Sequence, residues 1–169
     1  MKIVLCAFFI CIISGNFSYS QEKISHFNHA IRLNRLDFFF ETSLLLEKPK
    51  LKHEFGLGFG INRTIFQKRL FPEMFYGLST NLKSLGLFHF QALSSYHLSF
   101  YNPNRNQREI HFFNEFLVGM YLGFGNKFQF YIKPEIGLQS ETFYSDFLNK
   151  IKHTSSFGYS AKIGFNYVF

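Results

Sequence analysis

Beyond residue 20, apolar and polar side chains alternate one by one along nearly the whole chain, a period of two that a helix cannot use and a pleated strand requires. The alternation predicts strands over 36–47, 53–65, 75–83, 87–101, 109–124, 127–141 and 155–169. Short connections fall at 48–52, 84–86 and 125–126, and longer ones at 66–74, 102–108 and 142–154. One face of these strands carries Leu36, Phe38, Phe40, Phe88, Phe90, Ile132, Ile136, Ile163 and Phe165, with Arg63 its single charge. The other carries Asp37, Glu41, Glu54, Gln91, Glu115, Lys133, Glu135 and Lys162, among many Gly, Ser and Asn. With 26 Phe and 9 Tyr, no Trp, and 17% charged residues, the chain is too aromatic and too weakly charged for disorder. Its apolar residues are interleaved with polar ones, and beyond the N-terminal segment no run is long enough for a spanning helix.

Two architectures use such a pattern. A soluble, lipocalin-like periplasmic binding barrel turns the apolar face inward, whereas a membrane barrel turns it to lipid. Strand length, the alternation of short and long connections, and the glycines of the polar face favour the membrane. The strands exceed the usual soluble length and suit tilted crossing of a bilayer. Gly56, Gly58 and Gly60 follow one another on the polar face, where a narrow lumen needs small residues opposite large ones.

The two ends of the chain carry their own signals. Lys2, the apolar run Ile3 to Ile13, and Ser18-Tyr19-Ser20 ahead of Gln21 predict an export signal over 1–20, cleaved to leave a barrel domain over 21–169. Cys6 and Cys11 both lie in that signal, so the mature chain is expected to have no disulfide, thiolate metal site or cysteine nucleophile. The stretch Lys162-Ile163-Gly164-Phe165-Asn166-Tyr167-Val168-Phe169 resembles the terminal strand of bacterial outer-membrane β-barrels, with Lys162, Gly164, Tyr167 and Phe169 at the recurring positions. The resemblance implies recognition by the outer-membrane barrel assembly machinery of a Gram-negative bacterium, and a last strand ending at the periplasmic side. Hairpins that start and end there require an even number of strands, which adds Ile24 to Leu33 as the first, joined to the next by Asn34-Arg35. The expected fold is therefore all-β: a closed antiparallel up-and-down transmembrane β-barrel of about eight strands, porin-like in plan, monomeric and without a cofactor. Tyr76, Tyr96, Tyr159 and Tyr167 are its candidates for an interfacial belt in the absence of Trp.

The polar face places Asp37, Glu41, Glu47, Glu54, Glu109, Glu115, Glu135 and Glu141 inside, with Lys83, Lys127, Lys133 and Lys162, an acidic excess. With His97 and His111 these are expected to form a hydrogen-bonded network filling the lumen. The rest of the chain is basic, and Lys68, Arg69, Arg105, Arg108, Lys150 and Lys152 fall in the outer loops, where lipopolysaccharide phosphates are the nearest partners. Nucleic acid is not expected, because these bases have no aromatic platform beside them. The principal expectation is a non-catalytic envelope or surface protein. The alternative is an enzyme: His97, Ser99 and Glu109, with Asn102-Pro103-Asn104 between, resemble the His-x-Ser and downstream Glu of outer-membrane lipid A deacylases. That resemblance implies a base, a nucleophile and an orienting carboxylate, although Phe100 stands where the family has Asn. Two metal pairings are also open: His97 and His111 with Glu109 or Glu115, and His26 with His29.

Overall fold

A computed structural model describes residues 23–34, 37–47, 51–62, 70–101, 111–145 and 150–168. Eight strands follow in order: β1 (Lys23–Asn34), β2 (Asp37–Glu47), β3 (Lys52–Asn62), β4 (Leu70–Leu85), β5 (Phe88–Tyr101), β6 (His111–Gly125), β7 (Phe128–Ser145) and β8 (Lys150–Val168). Each pairs antiparallel with the next, and β1 pairs with β8, so the sheet is a closed barrel. The turn after β4 uses Gly86 at φ 60°, a left-handed conformation that a tight hairpin needs and glycine supplies without strain.

Side-chain direction follows the alternation. Asn28, Arg32, Glu41, Glu54, His97, Glu115, Lys133, Glu135 and Lys162 are buried inside. Outside, Phe130 is 68% exposed and Leu57 67%, and Phe40, Phe59, Phe88, Phe112, Phe116, Ile132 and Ile136 share that surface. This is the inverse of what a lipocalin-like barrel needs, and the expectation of an apolar lumen is set aside. Most polar side chains on the outer wall are paired across strands: His29 with Thr42 at 3.0 Å, His53 with Tyr76 at 2.8 Å, Tyr96 with Asn114 at 2.6 Å and Thr142 with His153 at 2.9 Å.

The structure moves several boundaries. The stretch 142–154, expected to be a loop, is strand on both sides, with β7 running to Ser145 and β8 starting at Lys150. Lys150 and Lys152 are thus strand residues, exposed because the β7–β8 ribbon extends beyond the described residues of β1 and β6. Strand β1 pairs with β8 only as far as Asn34↔Ser160, so residues 150–159 have a partner strand on one side only among the described residues. Strand β4 starts at Leu70, inside the expected loop 66–74; Pro72 lies above the β4–β5 pairing, which begins at Glu73↔Ser99, so its missing N–H interrupts nothing there. A register shift between Asn81 and Lys83 puts an extra residue into β4, and Lys83, expected inside, is exposed. Lys127 lies in the β6–β7 turn, and Glu47 is an exposed strand end paired with Lys52 at 2.8 Å.

The polar-face glycines make room for rings. A Cβ on Gly56 would lie 2.2 Å from the Phe75 ring, and one on Gly60 2.3 Å from that of Phe71. Both rings are buried in the lumen, Phe71 edge-on to Phe39 at 5.4 Å. Gly56→Val is therefore expected to destabilise the barrel by about 1–3 kcal/mol, the usual cost of overpacking, and Phe75→Ala in the same chain to recover part of it. Urea midpoints in lipid vesicles measure both; a Gly56→Val midpoint equal to wild type contradicts the packing described.

Candidate functional site

The lumen is organised around one side chain. Arg32, on the inward face of β1, has no solvent exposure and donates to carboxylates on three other strands: Nε to Glu41 Oε1 at 2.6 Å, Nη2 to Glu73 Oε2 at 2.6 Å and Nη1 to Glu115 Oε2 at 2.5 Å. Its guanidinium also lies 4.1 Å above the Phe39 ring. The planar fork serves the three acids from three different nitrogens, where a Lys ammonium would have to draw all three carboxylates onto one. The second oxygens of these acids are engaged as well. Lys162 Nζ pairs with Glu41 Oε2 and sits 4.0 Å over the Phe75 ring. Gln139 Nε2 donates to Glu115 Oε1 at 2.6 Å, with Asn34 Nδ2 at 3.3 Å. Glu73 Oε1 meets His97 Nδ1 at 2.5 Å.

A chain of hydrogen bonds continues downward. His97 Nε2 lies 3.1 Å from Ser95 Oγ, which donates to Glu135 Oε1 at 2.7 Å, and Ser160 Oγ donates to Glu135 Oε2 at 2.9 Å. A separate group holds Glu54, which accepts from Lys133 Nζ at 2.6 Å, Ser43 Oγ at 2.6 Å and Asn28 Nδ2 at 3.1 Å. Below the Arg32 layer the space left between Asn28, Glu54, Gln91, Lys133, Lys162 and Asn166 is about 20 Å³, room for a water. Acids outnumber bases among the buried charges, with Asp37, Glu41, Glu54, Glu73, Glu115 and Glu135 against Arg32, Lys52, Lys133 and Lys162.

The enzyme and metal groupings come apart in this geometry. His97 and Ser99 both point into the lumen and are buried, and the imidazole is engaged by Glu73 and Ser95 rather than Ser99. Glu73, His97 and Ser95 thus have the order of a carboxylate–imidazole–hydroxyl relay, but the Ser95 hydroxyl donates its hydrogen bond to Glu135 and the group lies inside the barrel, away from the outer wall. Glu109 lies outside the described residues. His111 bonds Glu141 Oε1 at 2.6 Å and stacks on Phe143 at 4.3 Å, so it is not drawn to His97. His26 and His29 fall on opposite faces of β1, the first buried inside and the second on the outer wall. Glu41, Glu73 and His97 bring ligand atoms within 4.8 Å of one another, but Arg32 and Lys162 already hold those carboxylates, so a metal ion would compete with two resident cations.

The inward positions Asp37, Glu41, Glu54, His97, His111, Glu115, Lys133, Glu135 and Lys162 are all placed as the alternation requires. Arg32, Glu73, Ser95 and Gln139 are cluster members that the sequence reading did not single out. Lys68, Arg69, Arg105, Arg108 and Phe169 lie outside the described residues, as does the segment 1–20. No protein-family model and no curated protein matches the chain. Among solved structures it is similar to a major outer membrane protein from Thermus thermophilus, over 87% of this chain and 100% of that one, at 10% identity and a TM-score of 0.39.

Proposed function

We propose that the chain is an integral outer-membrane β-barrel with a filled lumen, a non-catalytic envelope protein that reaches its site through a cleaved export signal over residues 1–20. The observation that carries this reading is the inversion of the barrel, charged within and apolar without. A half-exposed aromatic side chain offers on the order of 100 Å². Six of them already reach the roughly 300–600 Å² of the largest apolar patch on an ordinary soluble monomer, and Phe40, Phe59, Phe88, Phe116, Phe124 and Phe130 are only part of the outer wall. Lipid is the solvent that such a wall suits, and the pairing of β1 with β8 closes the sheet on itself, as lipid demands. The cross-strand partners of most outward His, Tyr, Thr and Asn side chains support the same solvent.

The Arg32 cluster serves as a polar core, holding the strands together across the lumen. The C-terminal strand, with Lys162, Gly164, Tyr167 and Phe169, is the address read by the barrel assembly machinery. At the other end of the barrel Lys150 and Lys152 supply cations to lipopolysaccharide phosphates, and Lys68, Arg69, Arg105 and Arg108, between β3 and β4 and between β5 and β6 in the sequence, add to them. The barrel acts as a monomer with no nucleic-acid partner.

Expression in a Gram-negative host tests the reading. The mature protein is expected to fractionate with outer membrane, to resist salt and carbonate, and to migrate differently on gels with and without heating. Release by carbonate sinks it. Replacing Lys150 and Lys152 by Gln is expected to weaken retention of purified lipopolysaccharide while leaving the heat-dependent mobility unchanged.

A further inference from the structure

The outer wall carries a groove over the seam where β1 meets β8. It has a volume of about 480 Å³, comparable to a long acyl chain, and its walls are Phe40, Leu57, Phe59, Phe130, Ile163 and Phe165. Its floor is polar. His29 and Thr42, directly opposed on β1 and β2, form a low pair between these taller side chains, with His29 Nδ1 3.0 Å from Thr42 Oγ1. Phe27 packs against the imidazole edge-on at 4.7 Å and Phe165 at 5.5 Å, which fixes the ring in the floor.

Only one imidazole nitrogen is used there. If Thr42 donates to Nδ1, then Nε2 carries a proton with no acceptor; if Nδ1–H donates to Thr42, then Nε2 is a lone pair with no donor. No side chain or backbone group among the described residues takes Nε2. His29 lies on the outward face of β1, opposite Phe165, and so, on the reading of this barrel as membrane-embedded, within the hydrocarbon, where an unmet polar group costs several kcal/mol. A hydroxyl can both donate and accept and answers either tautomer. An ester carbonyl answers only one, and a plain methylene chain neither.

We propose that this groove binds one acyl chain hydroxylated partway along its length, with the hydroxyl on His29 Nε2 and the hydrocarbon along the aromatic walls. The site is separate from the ionic lumen, which lies on the other side of the barrel wall.

The test uses the full-length mature protein in nanodiscs of plain-chain phospholipid. Stearic acid, the same acid hydroxylated at mid-chain, and the same acid hydroxylated beside the carboxyl are added in turn, and the bound fraction is read by native mass spectrometry. Wild type is expected to retain the mid-chain hydroxy acid about tenfold over stearic acid, the worth of one hydrogen bond. The acid hydroxylated beside the carboxyl, whose hydroxyl sits at the wrong depth, is expected to behave as stearic acid. His29→Phe, an apolar change on the lipid face, should abolish the preference, and Leu138→Ala, elsewhere on the wall, should leave it. A second arm supplies the mid-chain hydroxyl on a phospholipid, separating a bilayer lipid from a free fatty acid as the source. Equal retention of hydroxylated and plain acids by wild type, or a preference that survives His29→Phe, overturns the proposal. The membrane reading is judged separately by carbonate extraction, so a barrel that resists extraction and shows no preference loses the groove alone.

Discussion

Arg32→Met is expected to leave the chain unable to hold a folded barrel. The substitution keeps an unbranched apolar stem and removes the one cation that Glu41, Glu73 and Glu115 share. Breaking a buried ion pair from one side costs about 3–5 kcal/mol, because the remaining charge has no solvent to return to. Here three acids lose their partner together, against a total stability of about 5–15 kcal/mol for a typical domain. Glu41 retains Lys162, whereas Glu73 and Glu115 keep only His97, Gln139 and Asn34. Arg32→Met combined with Glu73→Gln and Glu115→Gln is therefore expected to recover much of the loss, since neutral amides leave no stranded charge. Heat-dependent gel mobility and urea titration in vesicles read all three proteins. An Arg32→Met barrel with the wild-type urea midpoint would show that the cluster contributes nothing to stability.

Glu41→Gln comes next in expected effect, for a different reason. Arg32 and Lys162 are directly opposed across the β1–β8 seam, two like charges on adjacent strands of a buried face. Glu41 on β2 is paired with both and neutralises the repulsion between them. Without that carboxylate the two cations face each other where the barrel closes, and the loss is expected to be about 3–5 kcal/mol. Lys162→Met removes one of the two and should suppress the defect. The double-mutant cycle of Glu41→Gln and Lys162→Met measures the coupling directly; independent, additive losses would mean that Glu41 does not bridge the seam.

Much of this arrangement is legible in the sequence because a period of two leaves little freedom. Once Phe38 and Phe40 are outside, Asp37, Phe39 and Glu41 must be inside, and each is buried. The reading fails where the period is interrupted. Lys83 is misassigned because the extra residue between Asn81 and Lys83 reverses the parity of everything after it in β4. Glu73 is missed because Pro72 and the nearby charges look like a loop. Arg32 is missed because β1 is read through its two histidines, which weaken the strand signal, although its place between Ile31 and Leu33 marks it as inward. Which acids an inward Arg will reach is set by the stagger of β2, β4 and β6 around the lumen, and no single strand's sequence contains it. The groove over the seam is similarly hidden, since it joins side chains from β1, β2, β3, β7 and β8.

The β7–β8 ribbon that outruns β1 has a consequence for how copies of the chain meet one another. From Lys150 to Tyr159 one edge of β8 offers backbone groups that no described neighbour takes up, and 151–157 are exposed on both faces, including Ile151 and Phe157. Such an edge is a template on which another strand can grow, the first step of aggregation. Lys150 and Lys152 stand at its tip, and on a bare edge a lysine is a gatekeeper: a second strand laid alongside would have to strip its hydration or bring a matching acid. Among the described residues, the two lysines thus stand where a second copy would begin to pair, and their charge disfavours that pairing.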